Sequence, residues 1–120
     1  MKKIYLAIPY SGMTESSYKQ ATKATAELLK MEYNVFSPIT HSHPLTKYDM
    51  PGTWEFWEKI DYQWIDACDE VWVFIPDEGI EPLIKSKGVN AEIAYAKKTN
   101  KPVRYINNEI LELETFFNHE

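Results

Sequence analysis

The 120-residue sequence predicts an α/β fold, a three-layer doubly wound parallel sheet of four to five strands with helices on both faces. Three observations carry that expectation. Short apolar runs such as KIYLAIPY (3–10) and EVWVFIP (70–76) lack strict alternation, which marks strands buried on both faces. Between them lie longer segments whose apolar residues recur at helical spacing. The strict succession of strand and helix then calls for parallel pairing through right-handed crossovers.

Taken in order, KIYLAIPY is closed by Pro9 and reads as a buried strand. The next segment opens on the turn residues YSGMT and then places Ala21, Ala24, Leu28 and Met31 on one side, predicting a helix from about Thr14 to Glu32. NVFSP (34–38) is a second short strand ended by Pro38. ITHSHPLTKYDMPGT (39–53) is a long polar connection with room for a fifth strand, and loops of that length are often functional. TWEFWEKIDYQWIDACD (53–69) is helical, with Thr53 or Asp49 as candidate caps, and EVWVFIP after it is the clearest strand. The loop DEGIEPLIK (77–85), the helix SKGVNAEIAYAKKTN (86–100), the strand KPVRYI (101–106) and a terminal helix around EILELETFFNHE (109–120) complete the chain.

Composition narrows the functional classes. Apolar residues make up 44% and charged residues 26%, the proportions of an ordinary globular chain, here expected as one domain over residues 1–120. A net charge of −5 without a basic stripe argues against a nucleic-acid polymer or an anionic membrane as partner. A small anionic ligand stays open, because backbone amides bind phosphate without net positive charge. The single cysteine, Cys68, excludes an internal disulfide and a cysteine-built metal site. No segment has the ~20 apolar residues of a membrane span, and MKKIYLAIPY is too short an apolar run for a secretory signal, so the expected location is cytoplasmic. Glycine fingerprints for dinucleotides, phosphate-binding loops, zinc-protease helices and nucleophile elbows are absent, which sets those enzyme classes aside.

Ligands of doubly wound sheets bind beyond the carboxyl ends of the strands, and the unusual residues of this chain gather there. Asp61 falls four residues after Trp57 and three before Trp64, within an apolar stripe of Trp54, Trp57, Trp64, Ile65 and Cys68. A carboxyl on a packing face has a raised pKa and stays protonated, as a general acid at neutral pH requires; a hydrogen-bonded or wet aspartate at the stripe's margin is the plainer alternative. Glu92 repeats the pattern against Val89, Ile93 and Ala96, with an edge glutamate as its alternative. Six residues earlier, Ser86 is a natural N-cap and Gly88 permits close backbone approach, so the helix start has the makings of an anion site. Together the two acids form the equipment for cleaving a glycosidic bond, a carboxylate nucleophile beside a protonated carboxylic acid.

His41 and His43 stand in THSHP with only Ser42 between them, and ligand contact, structural hydrogen bonding and metal binding are all open to such a pair. A third metal ligand is not evident, so no metal is expected, and His119 reads as unrelated. Tyr5, Tyr10, Trp54 and Trp57 fit a core; aromatics at a ligand edge also hold nucleobases, and on that ground Tyr10 and Trp57 are substrate-contact candidates.

KIYLAIP, IDYQWIDACDEVWVFIP and SKGVNAEIAYAKKTNKPV together resemble the nucleoside 2-deoxyribosyltransferase superfamily over roughly residues 3 to 106. That resemblance implies a flavodoxin-like or Rossmann-like domain that acts on a small-molecule nucleotide or nucleoside without metal or organic cofactor. It implies Glu92 as the nucleophile at the anomeric carbon, Asp61 as the group that protonates or orients the leaving base, and Tyr5 as the residue that positions the nucleophile. Ser86 falls in the S-x-G-V-x-x-E pattern of the nucleoside 5′-monophosphate hydrolases, whereas the deoxynucleoside transferases tend to carry aspartate there. An aspartate repels phosphate and a serine at a helix start holds it, so a nucleoside 5′-monophosphate is favoured over a free nucleoside. The alternatives are a transferase acting on free nucleosides and a non-catalytic binder of a nucleotide or nucleotide-derived signal. The hydrolases place glycine and arginine after the first strand, where this chain has IPYSGMT, so a phosphate contact there would use Ser11, Gly12 or backbone. THSHP and the tryptophan-rich helix set the chain apart as a small separate branch. A neighbouring subunit usually completes the site in that superfamily, which implies a homodimer or higher homo-oligomer.

Overall fold

The computed structural model describes residues 1–118. His119 and the last residue of the expected terminal helix, Glu120, lie outside the described residues. Strand β1 (Lys3–Ala7) pairs with β2 (Asn34–Phe36) on one side and β3 (Glu70–Phe74) on the other, and β4 (Val103–Ile106) pairs with β3, all in parallel. The order β2-β1-β3-β4 with helices on both faces is the doubly wound, flavodoxin-like or Rossmann-like arrangement the sequence calls for.

Side chains of successive strand residues point to opposite faces, and that period divides the core in two. Ile4, Leu6, Trp72 and Phe74 pack with Ala21, Ala24 and Leu28 of helix α1 (Thr14–Lys30) and Leu111 of the terminal helix, Asn108–Asn118. Tyr5, Ala7, Val71 and Val73 pack instead with Ile65 of the helix Trp54–Ala67 and with Val89 and Ala96 of the helix Lys87–Lys98. Every one of these residues is buried, and each large apolar side chain among them contributes roughly 1.5–3 kcal/mol by leaving water.

The connection 39–53 holds no fifth strand; among the described residues the sheet has four. Its first part is helix α2 (Pro38–Ser42), followed by a 3-10 segment, His43–Tyr48. The cause is local: the Ser37 hydroxyl accepts a hydrogen bond from the Thr40 amide at 3.2 Å, and Pro38 in the first turn is preset for a helix. With α2 placed, Trp54–Ala67 becomes α3. Thr53 stands at its N-cap in extended conformation without a capping side-chain bond, and Asp49 sits in the left-handed region at φ 59°. A further short helix, α4 (Glu81–Lys85), occupies the expected loop after β3, leaving Lys87–Lys98 as α5 and Asn108–Asn118 as α6.

The inward stripe of α3 is narrower than its spacing suggests. Trp64 is 43% exposed and lies against Phe36 at the sheet's edge, ring centroids 3.9 Å apart, so Asp61 and Ile65 are the buried residues of that helix. Strand β2, at the sheet's edge, is only three residues long.

Candidate active site

Three side chains of three elements meet on the α3–α5 face. Tyr5 of β1 is fully buried, with its ring edge-on to Phe36 at 5.9 Å, and its hydroxyl donates to Oε2 of Glu92 on α5. Asp61 of α3 flanks the same hydroxyl. Asp61 is 8% and Glu92 5% exposed, and both open onto one cavity. The two helices are held together by stacking of Tyr62 on Tyr95, centroids 4.0 Å apart and rings nearly parallel, and by the Tyr95 hydroxyl on Asp66 at 2.7 Å.

Burial sets the ionisation of this group. Loss of solvent pushes the Asp61 carboxyl up to about 7, against a smaller opposing effect of the Tyr5 hydroxyl. Glu92 is pushed up to about 8, by burial first and by the neighbouring charge of Asp61 second, again opposed by Tyr5. Tyr5 itself is driven well above the usual phenol range by burial and by both carboxylates, so it remains a donor. Two buried acids beside one donor titrate as a unit, with both carboxyls held above the usual carboxylate range.

The cavity above the pair has a volume of about 740 Å³ and lies among the segments that follow β1, β2 and β3. Such a volume suits a small-molecule ligand. One wall is the start of α5. Ser86 caps it, its hydroxyl oxygen accepting from the Val89 amide at 3.1 Å, and the first-turn amides of Lys87 and Gly88 have no place in the helical ladder. The Asn90 side-chain amide donates to the carbonyls of Leu83, Ile84 and Ser86, which fixes the α4–α5 corner. A Cβ at Gly88 would meet the Trp54 ring at 3.4 Å, so the close approach this glycine grants is first of all to α3. Trp57 lines the cavity and donates through Nε1 to the Pro51 carbonyl at 2.9 Å, tying the 49–53 segment to α3.

On the β2 side, Tyr10, Ser11, Gly12 and His43 line the cavity. Gly12 takes φ +81°, a turn conformation that favours glycine, and Ser17 anchors the loop by donating to the Pro9 carbonyl. The Tyr10 hydroxyl meets His43 Nδ1 at 2.7 Å, and His43 Nε2 meets the Glu15 carboxylate at 2.9 Å. Tyr18 stacks on the imidazole at 4.5 Å. Burial and the Glu15 charge raise the Tyr10 pKa. His41, read from the sequence as a ligand contact beside His43, does not line the cavity; it is exposed and lies edge-on to Phe36, because the helical turn of α2 sends residues two apart to different sides.

Asp61, Glu92, Tyr5, Ser86, Gly88, Tyr10, Ser11, Gly12, His43 and Trp57 thus come to one place, with Tyr5 beneath its floor, and His41 stands apart. Glu15 and Asn90 escaped the sequence reading. Glu15 looks like an ordinary acid in the first turn of a helix and Asn90 like a surface residue, and only tertiary contacts reveal them. No group of three or more histidine, cysteine or acidic side chains suited to a metal occurs among the described residues, and no helix there is long and apolar enough to cross a membrane.

A family model described as a domain of unknown function, DUF1937, matches residues 2–108, and the chain belongs to that family. No curated protein matches the sequence.

Proposed function

We propose that the protein cleaves, or exchanges, the N-glycosidic bond of a nucleoside 5′-monophosphate, with chemistry like that of the nucleoside 2-deoxyribosyltransferase superfamily. The observation that carries the reading is the buried pair Asp61 and Glu92, gathered around the Tyr5 hydroxyl at the floor of one cavity. Burying two acids without a counter-charge costs stability, and a functional cleft is where such a cost is tolerated.

The working state requires Glu92 ionised and Asp61 protonated, the reverse of the order burial sets in the free protein, where Glu92 is raised further than Asp61. The Tyr5 hydroxyl, which donates to Glu92, is the group that supports the carboxylate there once the ligand is bound. A Glu92 oxygen attacks C1′ through an oxocarbenium-like transition state, the bond from C1′ to the base nitrogen breaks, and Asp61 gives its proton to the departing base. The glycosyl ester on Glu92 is then opened by water in a hydrolase, or by the nitrogen of a second base in a transferase. Asp61, now a carboxylate, takes the proton of the incoming group, and Glu92 is regenerated. The 5′-phosphate is held at the start of α5, where the Ser86 hydroxyl hydrogen and the amides of Lys87 and Gly88 point to an anion, with the side chains of Lys85 and Lys87 bordering the cavity. A homo-oligomer that completes the site is part of the same reading and rests on the resemblance.

Incubation with a panel of ribo- and deoxyribonucleoside 5′-monophosphates, followed by chromatography of free base, tests the proposal. Wild type is expected to release base from at least one member, and Glu92→Ala to lower the rate about a thousandfold or more. Binding of the nucleotides without release of base by wild type would overturn the catalytic reading.

A further inference from the structure

The floor of the cavity accounts for Tyr5, Asp61 and Glu92, and leaves a second connected set without a role. Tyr10, His43 and Glu15 come from the loop after β1, the segment after α2 and the first turn of α1, and they are joined end to end. Only the Tyr10 end meets the cavity together with the edge of His43. We propose that Tyr10 reads an anionic oxygen of the ligand, and that His43 and Glu15 act as positioning residues which supply the proton that makes Tyr10 a donor.

The argument follows the hydrogens. The Glu15 carboxylate only accepts, so the His43 Nε2 that faces it carries hydrogen. In a neutral imidazole Nδ1 is then bare, and the Tyr10 hydroxyl must donate to it, which leaves a phenol oxygen with lone pairs toward the cavity. In that state Tyr10 accepts from a ligand and repels a phosphate oxygen. A proton on Nδ1 reverses the polarity: the imidazolium donates to the phenol oxygen, and the phenol hydrogen turns outward as a donor. No heavy atom has to move. The Glu15 carboxylate stands at Nε2, and Tyr18 fixes the ring plane by stacking from α1.

The charged and titratable groups against His43 are therefore Tyr10 from the β1 loop and Glu15 and Tyr18 from α1. The other charges bordering the cavity are Glu78, Glu81, Lys85, Lys87 and the acid pair, and Lys85 and Lys87 are already engaged with Glu81 and Glu55. An anion held between Ser86 and Tyr10 would thus take up one proton, at His43, as it binds. This deepens the nucleoside 5′-monophosphate reading and rests on it, since the oxygen read is that of the 5′-phosphate.

Sulfate is a suitable probe, because its double charge is constant over the pH range in which histidine titrates. Because the acid pair at the cavity floor also changes charge in that range, sulfate affinity is to be measured in the Asp61→Asn/Glu92→Gln background, where that pair is neutral. Measurements at about pH 6 and about pH 8 are made while the His43 imidazole proton resonance, identified by its loss in His43→Gln, is followed by NMR. Binding at least about tenfold tighter at the lower pH, with the His43 midpoint moved upward by sulfate, is expected. Tyr10→Phe keeps the imidazole and its charge, and should bring the affinity ratio to within about threefold; Glu15→Gln should weaken binding at the lower pH. Sulfate binding that leaves the His43 midpoint in place, a ratio that survives Tyr10→Phe, or no sulfate binding at the lower pH would each overturn the proposal. Base release from a monophosphate by wild type alongside any of those results would leave the glycosidic reading standing and remove only this one.

Discussion

The two faces of the sheet are made by the same strands and differ in what they bury. Toward α1 and α6 the strands present Ile4, Leu6, Trp72 and Phe74 to Ala21, Ala24, Leu28 and Leu111. Toward α3 and α5 the alternate residues present Tyr5, Ala7, Val71 and Val73, and among the helix residues that cover them are Asp61 and Glu92. One face stabilises the sheet. The other gives up part of that stabilisation to hold two acids out of water beside a cavity. A one-residue shift in strand register would exchange the faces, so the same alternation that builds the core also assigns Tyr5 to the side of the acid pair.

Substitutions on the two faces should therefore separate stability from activity. The largest effect on folding is expected on the α1 face: Leu28→Ala should cost about 2–5 kcal/mol in urea denaturation and leave the rate of base release per folded molecule unchanged. An equal loss of both would mean that the faces are not independent.

On the α3 face the effect runs the other way and depends on pH. Both acids bind their protons more tightly folded than unfolded, since Asp61 rises from 3.8 to about 7 and Glu92 from 4.5 to about 8. Above about pH 4 the folded chain thus holds more protons than the unfolded one, and stability falls as pH rises through that window. Asp61→Asn removes part of this fall. Thermal and chemical denaturation should find the variant indistinguishable from wild type near pH 4 and more stable near pH 8, by a few kcal/mol at about 1.4 kcal/mol per pH unit. A variant that is less stable than wild type at the higher pH would show that Asp61 is a satisfied core residue.

The smallest effect belongs at the joint between cavity and helix. Ser86→Ala removes the cap of α5 and should cost about 1 kcal/mol, while weakening binding of a nucleoside 5′-monophosphate more than that of the parent nucleoside. Equal weakening of both ligands would take the phosphate away from Ser86.

The fold was legible because its signals are repeated along the chain. Apolar runs and helical spacing recur through the alternating elements, and each supports the others. The inward lean of Asp61 and Glu92 was legible for a related reason, since spacing on a helix fixes direction whatever the residue type. The 39–53 connection hides its helical turn because that turn is set by Ser37 and Pro38, which the sequence assigns to the end of the preceding strand, and it is too short for any period to appear. Trp64 misled because spacing says which way a side chain points and not whether the sheet extends far enough to cover it. The set around His43 was out of reach for a third reason: Glu15 and His43 are 28 residues apart, and the partnership exists only where α1 passes the segment after α2.

Tyr5 puts a limit on how this protein can drift. Its neighbours Ile4 and Leu6 can be exchanged for other apolar residues of similar volume at under about 1.5 kcal/mol each. Phenylalanine at position 5 would preserve the packing equally well and leave Glu92 facing a ring where it now meets a donor. A lineage or library selected for heat resistance alone would find its easiest gains by neutralising positions 61 and 92, and only afterwards would the hydroxyl at position 5 become dispensable. The order in which those three positions change would record whether the cavity was still in use.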